Sequence, residues 1–84
     1  MKLVLYSKEN CSLCEQAKVI LELIQQEYPF EWEEINIYND EKLLEEYHLM
    51  IPVVAHENTI IDSELIDISK VENYLKLYNN SENS

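Results

Sequence analysis

The two cysteines of the chain, Cys11 and Cys14, stand where the hydrophobic pattern changes from that of a strand to that of a helix. Residues 2–6 form a short apolar run after Lys2, which is typical of a strand covered on both faces. The chain therefore begins as a strand that passes into a long helix, with the cysteines at the helix N-terminus. The apolar residues of that helix share one face and are Leu13, Ala17, Ile20, Leu21, Ile24 and Tyr28.

The central part of the chain predicts a second strand and a second helix. Pro29 ends the first helix, because proline disfavours the helical conformation of the residue before it. The alternation over residues 30–37 indicates a strand but changes phase, so either a bulge lies near 33–34 or the strand begins later than Phe30. A helix over 40–48 follows. A strand, a helix and a strand in succession imply that the first two strands pair in parallel.

The last part of the chain predicts a hairpin and a final helix. Strands over 51–55 and 59–61 are joined by a link short enough for a hairpin. Ser69 with Glu72 predicts a capping box at the start of the last helix, and Asp67 is a competing N-cap. The element order is β-α-β-α-β-β-α. The fold class is therefore α/β, with a four-stranded mixed sheet between layers of helices.

Length and charge limit the classes of protein to consider. With 84 residues there is room for one domain, 1–84, with a packed core and a frayed tail over 79–84. The formal charge of −11 argues against nucleic acid, which needs clustered Lys and Arg, and against an anionic membrane surface. The acidic surface is either a solvated face or one that steers the protein towards a basic partner protein.

No targeting segment is recognisable in the sequence. The first apolar run is too short for the core of a signal peptide, and no segment has the length needed to span a membrane. We therefore expect a cytoplasmic protein without membrane association, and we expect it to be monomeric. Thiols in the cytoplasm are kept reduced, and structural disulfides are rare there.

The chain contains no glycine. Backbone positions with positive φ must then fall to asparagine or aspartate, which are the next most tolerant residues. We expect such positions at the pairs 39–40, 57–58 and 79–80, each of which contains asparagine. The absence of glycine also excludes every glycine-rich phosphate loop.

Cysteines separated by two residues, beside a β-α-β pattern in a cytosolic protein, predict a thioredoxin-like redox site. Positions i and i+3 are neighbours on a helix, so Cys11 and Cys14 are able to form a disulfide. Cys11 is the expected nucleophile, because the helix N-terminus favours its thiolate. Cys14 lies one turn further in and is the expected resolving thiol. Lys8 either adds a second favourable charge or is a solvated loop residue.

Other uses of the cysteines stay open. A zinc site would take Cys11, Cys14, His48 and His56 as ligands, but their spacing does not match the usual pattern. An iron–sulfur cluster would need ligands from partner chains. Two buried structural thiols, a chance spacing and a non-catalytic thioredoxin-like binding module are further alternatives. The redox reaction itself needs no metal or organic cofactor, because the dithiol carries the electrons.

Two segments together resemble a known family. They are Leu5-Tyr6-Ser7-Lys8, followed by Cys11 and Cys14, and Ile51-Pro52-Val53. With the intervening helices and strands in the expected order, the chain resembles a small glutaredoxin-like protein of the thioredoxin superfamily over nearly its whole length. The resemblance implies a thioredoxin-like three-layer α/β/α fold. It also implies a dithiol–disulfide oxidoreductase that acts on protein or small-molecule disulfides.

The resemblance also assigns residues to a substrate site. It implies that Pro52 is a cis proline packed against the dithiol, and that Ile51 pairs with the substrate backbone as an added strand. Lys8 and Ser12 would line the same site. Leu13 would either belong to the core face of the helix or project beside the nucleophile as an apolar contact for the substrate.

The sequence departs from the glutathione-dependent members of the family. Ile51 stands in place of a threonine, and the stretch 60–64 lacks the Gly-Gly turn of those members. Asp62 and Glu64 in that stretch would repel the carboxylates of glutathione. Either glutathione or a thioredoxin reductase is the expected electron donor.

Overall fold

The computed structural model describes the backbone of residues 1–82 and the side chains through Tyr78. Its elements follow the predicted order, with one short 3-10 helix in addition. Among the described residues, no helix is both long and apolar enough to cross a lipid bilayer. The strands are β1 (Lys2–Ser7), β2 (Glu31–Asn36), β3 (Val53–His56) and β4 (Thr59–Ser63), and the helices are α1 (Ser12–Gln25), α2 (Glu41–Tyr47) and α3 (Ile68–Glu82).

The four strands form one mixed sheet in the order β2-β1-β3-β4. β1 pairs in parallel with β2 and antiparallel with β3, and β3 and β4 form an antiparallel hairpin. β1 therefore has a neighbour on each side, as its continuous apolar run predicts. Because β1 and β2 are parallel, both strands end at the same edge of the sheet, at Ser7 and Asn36.

The main hydrophobic core lies between the sheet and helices α1 and α3. Leu3 and Leu5 of β1 are fully buried there, together with Ala17, Leu21 and Ile24 of α1 and Val71 and Leu75 of α3. Tyr6 follows Leu5 directly in β1, and its ring stacks on Tyr47 of α2 with the centroids 4.6 Å apart. Successive side chains of a strand point to opposite faces, so α2 covers the face opposite α1 and α3. The predicted three-layer α/β fold is confirmed.

The structure selects between the two explanations for the change of phase in the second strand. β2 begins at Glu31 and keeps one register with β1 along its length, so the strand starts later than Phe30 and has no bulge against β1. Ile37 is almost fully buried but lies beyond β2, in the 3-10 helix Ile37–Asn39. The side chain of Asn36 accepts a hydrogen bond from the Tyr38 N–H at 2.9 Å and turns the chain out of the sheet.

Two aspartates begin the second and third helices. Asp40 caps α2 by accepting the N–H of Lys42 at 2.8 Å, at the predicted start. Asp67 accepts the N–H of Ser69 at 2.8 Å, so the competing N-cap is correct and the capping box headed by Ser69 is wrong. The reason is that α3 begins at Ile68, which places Ser69 inside the helix, where its side chain cannot cap the first turn.

Several element ends differ from the sequence prediction. α1 ends at Gln25, and the Tyr28 N–H still donates to the Ile24 carbonyl at 2.9 Å beyond that end. β3 begins after Pro52, which has no N–H to donate to a sheet. α3 continues through Glu82, whereas residues 83–84 lie outside the described part of the chain. The expected fraying over 79–84 stays a prediction.

Positive φ angles occur at Asn10, Glu57 and Glu64 in the described part of the chain. The pair 57–58 does contain such a position, but it falls at Glu57 and not at Asn58, so the expectation that asparagine or aspartate would take it is wrong there. The pair 39–40 was wrong, because Asp40 is extended where it caps α2, and the pair 79–80 lies within α3. Glu64 was missed because glutamate has no intrinsic preference for positive φ, and only tertiary contacts hold it there.

Candidate functional site

Cys11 and Cys14 are joined by a disulfide at the N-terminal end of α1. Cys11 is the N-cap residue of the helix, with its Cα atom 5.2 Å from that of Cys14. The Cys11 Sγ accepts the backbone N–H of Cys14 at 3.2 Å, and the Cys11 carbonyl accepts the N–H of Glu15 at 3.1 Å. The sulfur therefore takes the position in which an N-cap side chain satisfies one of the free N–H groups of the first turn.

Asn10 and Cys11 together turn the chain from β1 into α1. Asn10 adopts a left-handed conformation with φ of 54°, and Cys11 is extended with φ of −120° and ψ of 107°. Asparagine is among the residues that tolerate a positive φ, so this turn forms without glycine. The sequence holds the signal for this position, an asparagine directly before the N-cap, although our prediction placed the positive φ angles elsewhere.

The two sulfurs differ in their access to solvent. Cys14 is only 1% exposed and lies on the face of α1 that meets the core, whereas Cys11 is half-buried at the end of the helix. A substrate is therefore able to approach Cys11 but not Cys14. In the reduced state, the N–H donor and the positive end of the helix dipole favour the thiolate of Cys11. Cys14 is the more deeply buried of the two cysteines, and their expected roles as nucleophile and resolving thiol stay a prediction.

The segment 50–52 lies at the same end of the sheet as the dithiol. Val53 is the register partner of Tyr6, so Ile51 and Pro52 lie beside the point where β1 ends and the loop to Cys11 begins. The Ile51–Pro52 peptide bond is cis, as the resemblance implies, and Pro52 is buried. In the described part of the chain, no backbone hydrogen bond engages the N–H or the carbonyl of Ile51.

The remaining predicted site residues lie on the surface around Cys11. Lys8 is exposed in the loop after β1, and no ion pair or hydrogen bond joins it to Cys11 or to another described residue. Ser12 is the first residue of α1 and is exposed. Leu13 is 38% exposed and absent from the core cluster, so it does not belong to the core face of the helix, and its contact with a substrate stays a prediction.

A polar network that the sequence analysis missed lies next to this loop. The buried hydroxyl of Ser7 donates to Glu34 Oε2 at 2.6 Å, and Lys18 Nζ lies 3.1 Å from the same oxygen and 3.1 Å from Glu15 Oε1. These side chains meet because β1 and β2 end at one edge of the sheet, a tertiary relation that no local pattern shows. They border a cleft of about 510 Å³, which is lined by Ser7, Lys8, Glu9, Asn10, Glu15, Lys18, Glu34, Asn36 and Asn39.

The network shifts the acidity of two of its members. Burial raises the pKa of Glu34, but hydrogen bonds from Ser7 and Lys18 outweigh this effect and hold the pKa below its ordinary value of 4.5. The hydrogen bond to Glu15, followed by that to Glu34, raises the pKa of Lys18 above its ordinary value of 10.5. Both shifts favour the charged forms, so the network is an ion-paired one at neutral pH.

The sequence of this chain matches the model of the glutaredoxin-like domain (DUF836) family over residues 2–76. The chain belongs to this glutaredoxin-like family. The matched range runs from β1 into α3 and includes both cysteines and the cis proline. No curated protein matches the sequence.

Solved structures resemble this glutaredoxin-like domain over most of its length. Protein Ne2328 from Nitrosomonas europaea is 34% identical, with 88% of this chain and 89% of that chain covered and a TM-score of 0.79. Protein XcR50 from X. campestris is 25% identical, with 89% and 96% covered and a TM-score of 0.71. Thioredoxin 1 from Thermosipho africanus is 18% identical, with 94% and 99% covered and a TM-score of 0.61. The last similarity shows the thioredoxin fold alone.

Each of the two histidines has a hydrogen-bond partner other than the cysteines. His56 Nδ1 lies 2.7 Å from the hydroxyl of Tyr74, and His48 Nδ1 lies 3.0 Å from the Leu44 carbonyl. β3 runs antiparallel to β1, so His56 is at the end of the sheet opposite to the cysteines. In the part of the chain that the structure describes, no group of three or more His, Cys, Asp or Glu side chains is placed to hold a metal ion.

We expect the substitution Glu34→Gln to reduce the stability of the domain more than Glu33→Gln does. Glu33 and Glu34 are adjacent residues of β2. The pKa of Glu34 in the folded state lies below its ordinary value of 4.5. The ionised carboxylate therefore makes its full contribution to folding stability above pH 4.5, and this contribution is lost as the pH falls through the folded-state pKa. Glu33 makes only a surface ion pair with Lys2, at 3.4 Å. At pH 7 we expect Glu34→Gln to lower the free energy of unfolding by about 0.5–1 kcal/mol, allowing for solvent screening, and Glu33→Gln to lower it less.

Urea unfolding of both variants and the unaltered domain between pH 7 and pH 3 measures this effect. The difference between Glu34→Gln and the unaltered domain should shrink as the pH falls below 4.5, whereas that of Glu33→Gln should change little. A constant difference for Glu34→Gln across the whole range would contradict the ion-paired network.

Proposed function

We propose that this glutaredoxin-like domain is a dithiol–disulfide oxidoreductase that reduces disulfides of proteins or small molecules. The fold and two cysteines close enough to bond support a redox role. The observation that supports the proposed reductase activity is the different exposure of the two cysteines. Cys11 is accessible at the helix N-terminus, and Cys14 is 1% exposed behind it. This asymmetry gives the two sulfurs different roles.

The reaction begins with the reduced protein. The Cys11 thiolate attacks one sulfur of a substrate disulfide R–S–S–R′, forms a mixed disulfide and releases R′–S⁻, which takes up a proton. Cys14 then loses its proton and attacks the Cys11 sulfur, which releases R–S⁻ and forms the Cys11–Cys14 disulfide. One substrate disulfide is reduced to two thiols, and the protein dithiol is oxidised. The disulfide in the structure is the product state of this sequence.

The neighbouring residues support the proposed substrate site. The N–H and carbonyl of Ile51 have no backbone partner in the described part of the chain and lie beside Pro52 at the dithiol end of the sheet. An extended substrate segment is able to pair with them as an added strand. Lys8, Ser12 and Leu13 are exposed and close to Cys11 in sequence, and we propose that they contact the same segment.

The activity is tested by identifying the electron donor. The oxidised domain is incubated with NADPH and either thioredoxin reductase or glutathione with glutathione reductase, and NADPH oxidation is followed after a disulfide substrate is added. Turnover with one system identifies the reductant; we expect this reaction in the cytoplasm, where such donors keep thiols reduced. If neither system, nor a chemical reductant such as dithiothreitol, supports turnover of any protein or small-molecule disulfide, the proposed function is wrong.

A non-catalytic binding module is the second candidate. The observation in its favour is the same unpaired backbone of Ile51, which would hold a partner segment without any redox step. The two functions differ in their dependence on redox state. Partner binding that is equally tight to the oxidised and the reduced domain, without turnover in the assay above, would identify the module.

A further inference from the structure

We propose that Glu64 makes this domain select disulfides that are carried next to positive charge, on basic segments of partner proteins. The inference rests on the proposed oxidoreductase function and adds the substrate class. Glu64 stands in the turn between β4 and α3, outside both elements. Its position relative to Ile51 and the charges around it carry the argument.

Backbone hydrogen bonds hold Glu64 directly beside Ile51, whose N–H and carbonyl form the substrate edge, the edge that would pair with a substrate strand. Its N–H donates to the Met50 carbonyl at 3.1 Å and to the Pro52 carbonyl at 2.8 Å, the two carbonyls that flank Ile51. The residue has a φ of 66° and is exposed. A substrate strand paired with Ile51 would therefore lie next to the segment against which the Glu64 turn is held.

Asp62, the second carboxylate in this stretch, already has partners. The Asp62 carboxylate accepts the N–H groups of Ser63 at 2.9 Å and Asp67 at 2.8 Å and lies 3.5 Å from Lys70 Nζ. In the described part of the chain, by contrast, no ion pair or hydrogen bond engages the side chain of Glu64. Of the two carboxylates expected to repel glutathione, Glu64 is thus the one whose charge is free to act on a substrate.

The loop on the Cys11 side does not offset this charge. Lys8 and Glu9 are both exposed there, and their opposite charges cancel to a first approximation. The domain as a whole carries a formal charge of −11, so the long-range field also attracts cations. A substrate at this edge therefore meets a negative potential from the nearby Glu64 carboxylate and from the net charge of the whole domain.

Two exposed leucines make a basic protein segment a better substrate than a small hydrophilic anion. Leu65 follows Glu64 directly and is 70% exposed, and Leu49 precedes Met50 and is 79% exposed. A protein segment with a basic residue and apolar neighbours would contact the carboxylate and these side chains together. Oxidised glutathione offers carboxylates to the same place, where they are repelled.

The inference is tested with a pair of small disulfides of opposite charge. Cystamine carries an ammonium group on each half, and dithiodipropionate carries a carboxylate at the corresponding position. The reduced protein is mixed with an excess of either disulfide, and the reaction is stopped at intervals by alkylation. Mass spectrometry then counts the remaining thiols. Each variant is described by the ratio of its two rate constants, so the intrinsic reactivities of the probes cancel between variants.

Glu64→Lys should lower the ratio of the cystamine rate to the dithiodipropionate rate about tenfold at low ionic strength, and Glu64→Gln about threefold. Both effects should largely disappear at about 1 M salt, where charges are screened over a few ångströms. The matched control is Glu57→Lys. Glu57 is also an exposed glutamate with positive φ, but it lies in the β3–β4 turn at the opposite end of the sheet. Its substitution by lysine changes the net charge of the domain by the same amount as Glu64→Lys. We expect less than about a twofold change of the ratio for this control.

The outcomes separate this inference from the proposed function. If all variants reduce both probes with an unchanged ratio, or Glu57→Lys changes the ratio as much as Glu64→Lys, Glu64 does not select substrates although the domain is an oxidoreductase. If the unaltered domain reduces neither probe nor any protein disulfide, the proposed function itself fails. Circular dichroism of each variant, compared with the unaltered domain, verifies that the ratios refer to folded protein.

Discussion

Replacing Cys11 with serine is expected to abolish disulfide reduction, with a loss of at least about 10³-fold in rate. The Cys11 sulfur is the accessible one, and it accepts an N–H at the end of α1, where the thiolate is favoured. A serine hydroxyl in that position stays protonated at neutral pH, so it cannot replace the thiolate as the nucleophile. The rate of NADPH-coupled turnover measures the loss.

Cys14→Ser is the matched control, because it changes the same atom three residues further along the same helix. The buried Cys14 is needed only for the second step, so the first attack should proceed and the mixed disulfide with Cys11 should accumulate. Mass spectrometry of the intact protein would show the added half of the substrate. Accumulation of a mixed disulfide in Cys11→Ser, and none in Cys14→Ser, would reverse the two roles.

Leu21→Ala should cost about 2–5 kcal/mol of unfolding free energy, the second large effect that we expect. Leu21 is fully buried between α1, the sheet and α3, so its truncation removes apolar contacts and leaves a cavity. A domain of this size has a total stability of roughly 5–10 kcal/mol, so the variant would lose a large fraction of it. Urea unfolding of the oxidised protein measures the difference.

Leu23→Ala, on the same helix, controls for changes in helix propensity. Leu23 is 50% exposed and absent from the core cluster, so we expect a change within about 0.5 kcal/mol. Equal losses for the two leucines would mean that the apolar face of α1 is not packed as described, and the core would have to be reassigned.

Much of the fold was predictable because its signals are local. The change from a continuous apolar run to helical spacing located β1 and α1, and the helical spacing of apolar residues over 40–48 located α2. A strand, a helix and a strand in succession allow only a few chain topologies, so the parallel pairing of β1 and β2 was also predictable. These features depend on residues that are close in sequence.

The errors concern positions where distant segments meet. Ile37 has the apolar character of a strand residue, but the pairing with β1 ends at Asn36, and Ile37 is buried in the 3-10 helix that follows. Ser69 and Asp67 are both good caps by residue type, and only the direction in which the chain leaves β4 decides between them. The Ser7–Glu34–Lys18 network joins three elements and has no pattern in the sequence.

The sequence by itself determined the α/β fold class, the dithiol at a helix N-terminus and the family resemblance, because hydrophobic period and residue spacing act within one element. Only the tertiary structure decided how completely Cys14 is buried, and that the Glu64 turn is held against both carbonyls that flank Ile51. Burial and positive φ at a glutamate arise from packing between segments far apart in the chain, so no local pattern encodes them.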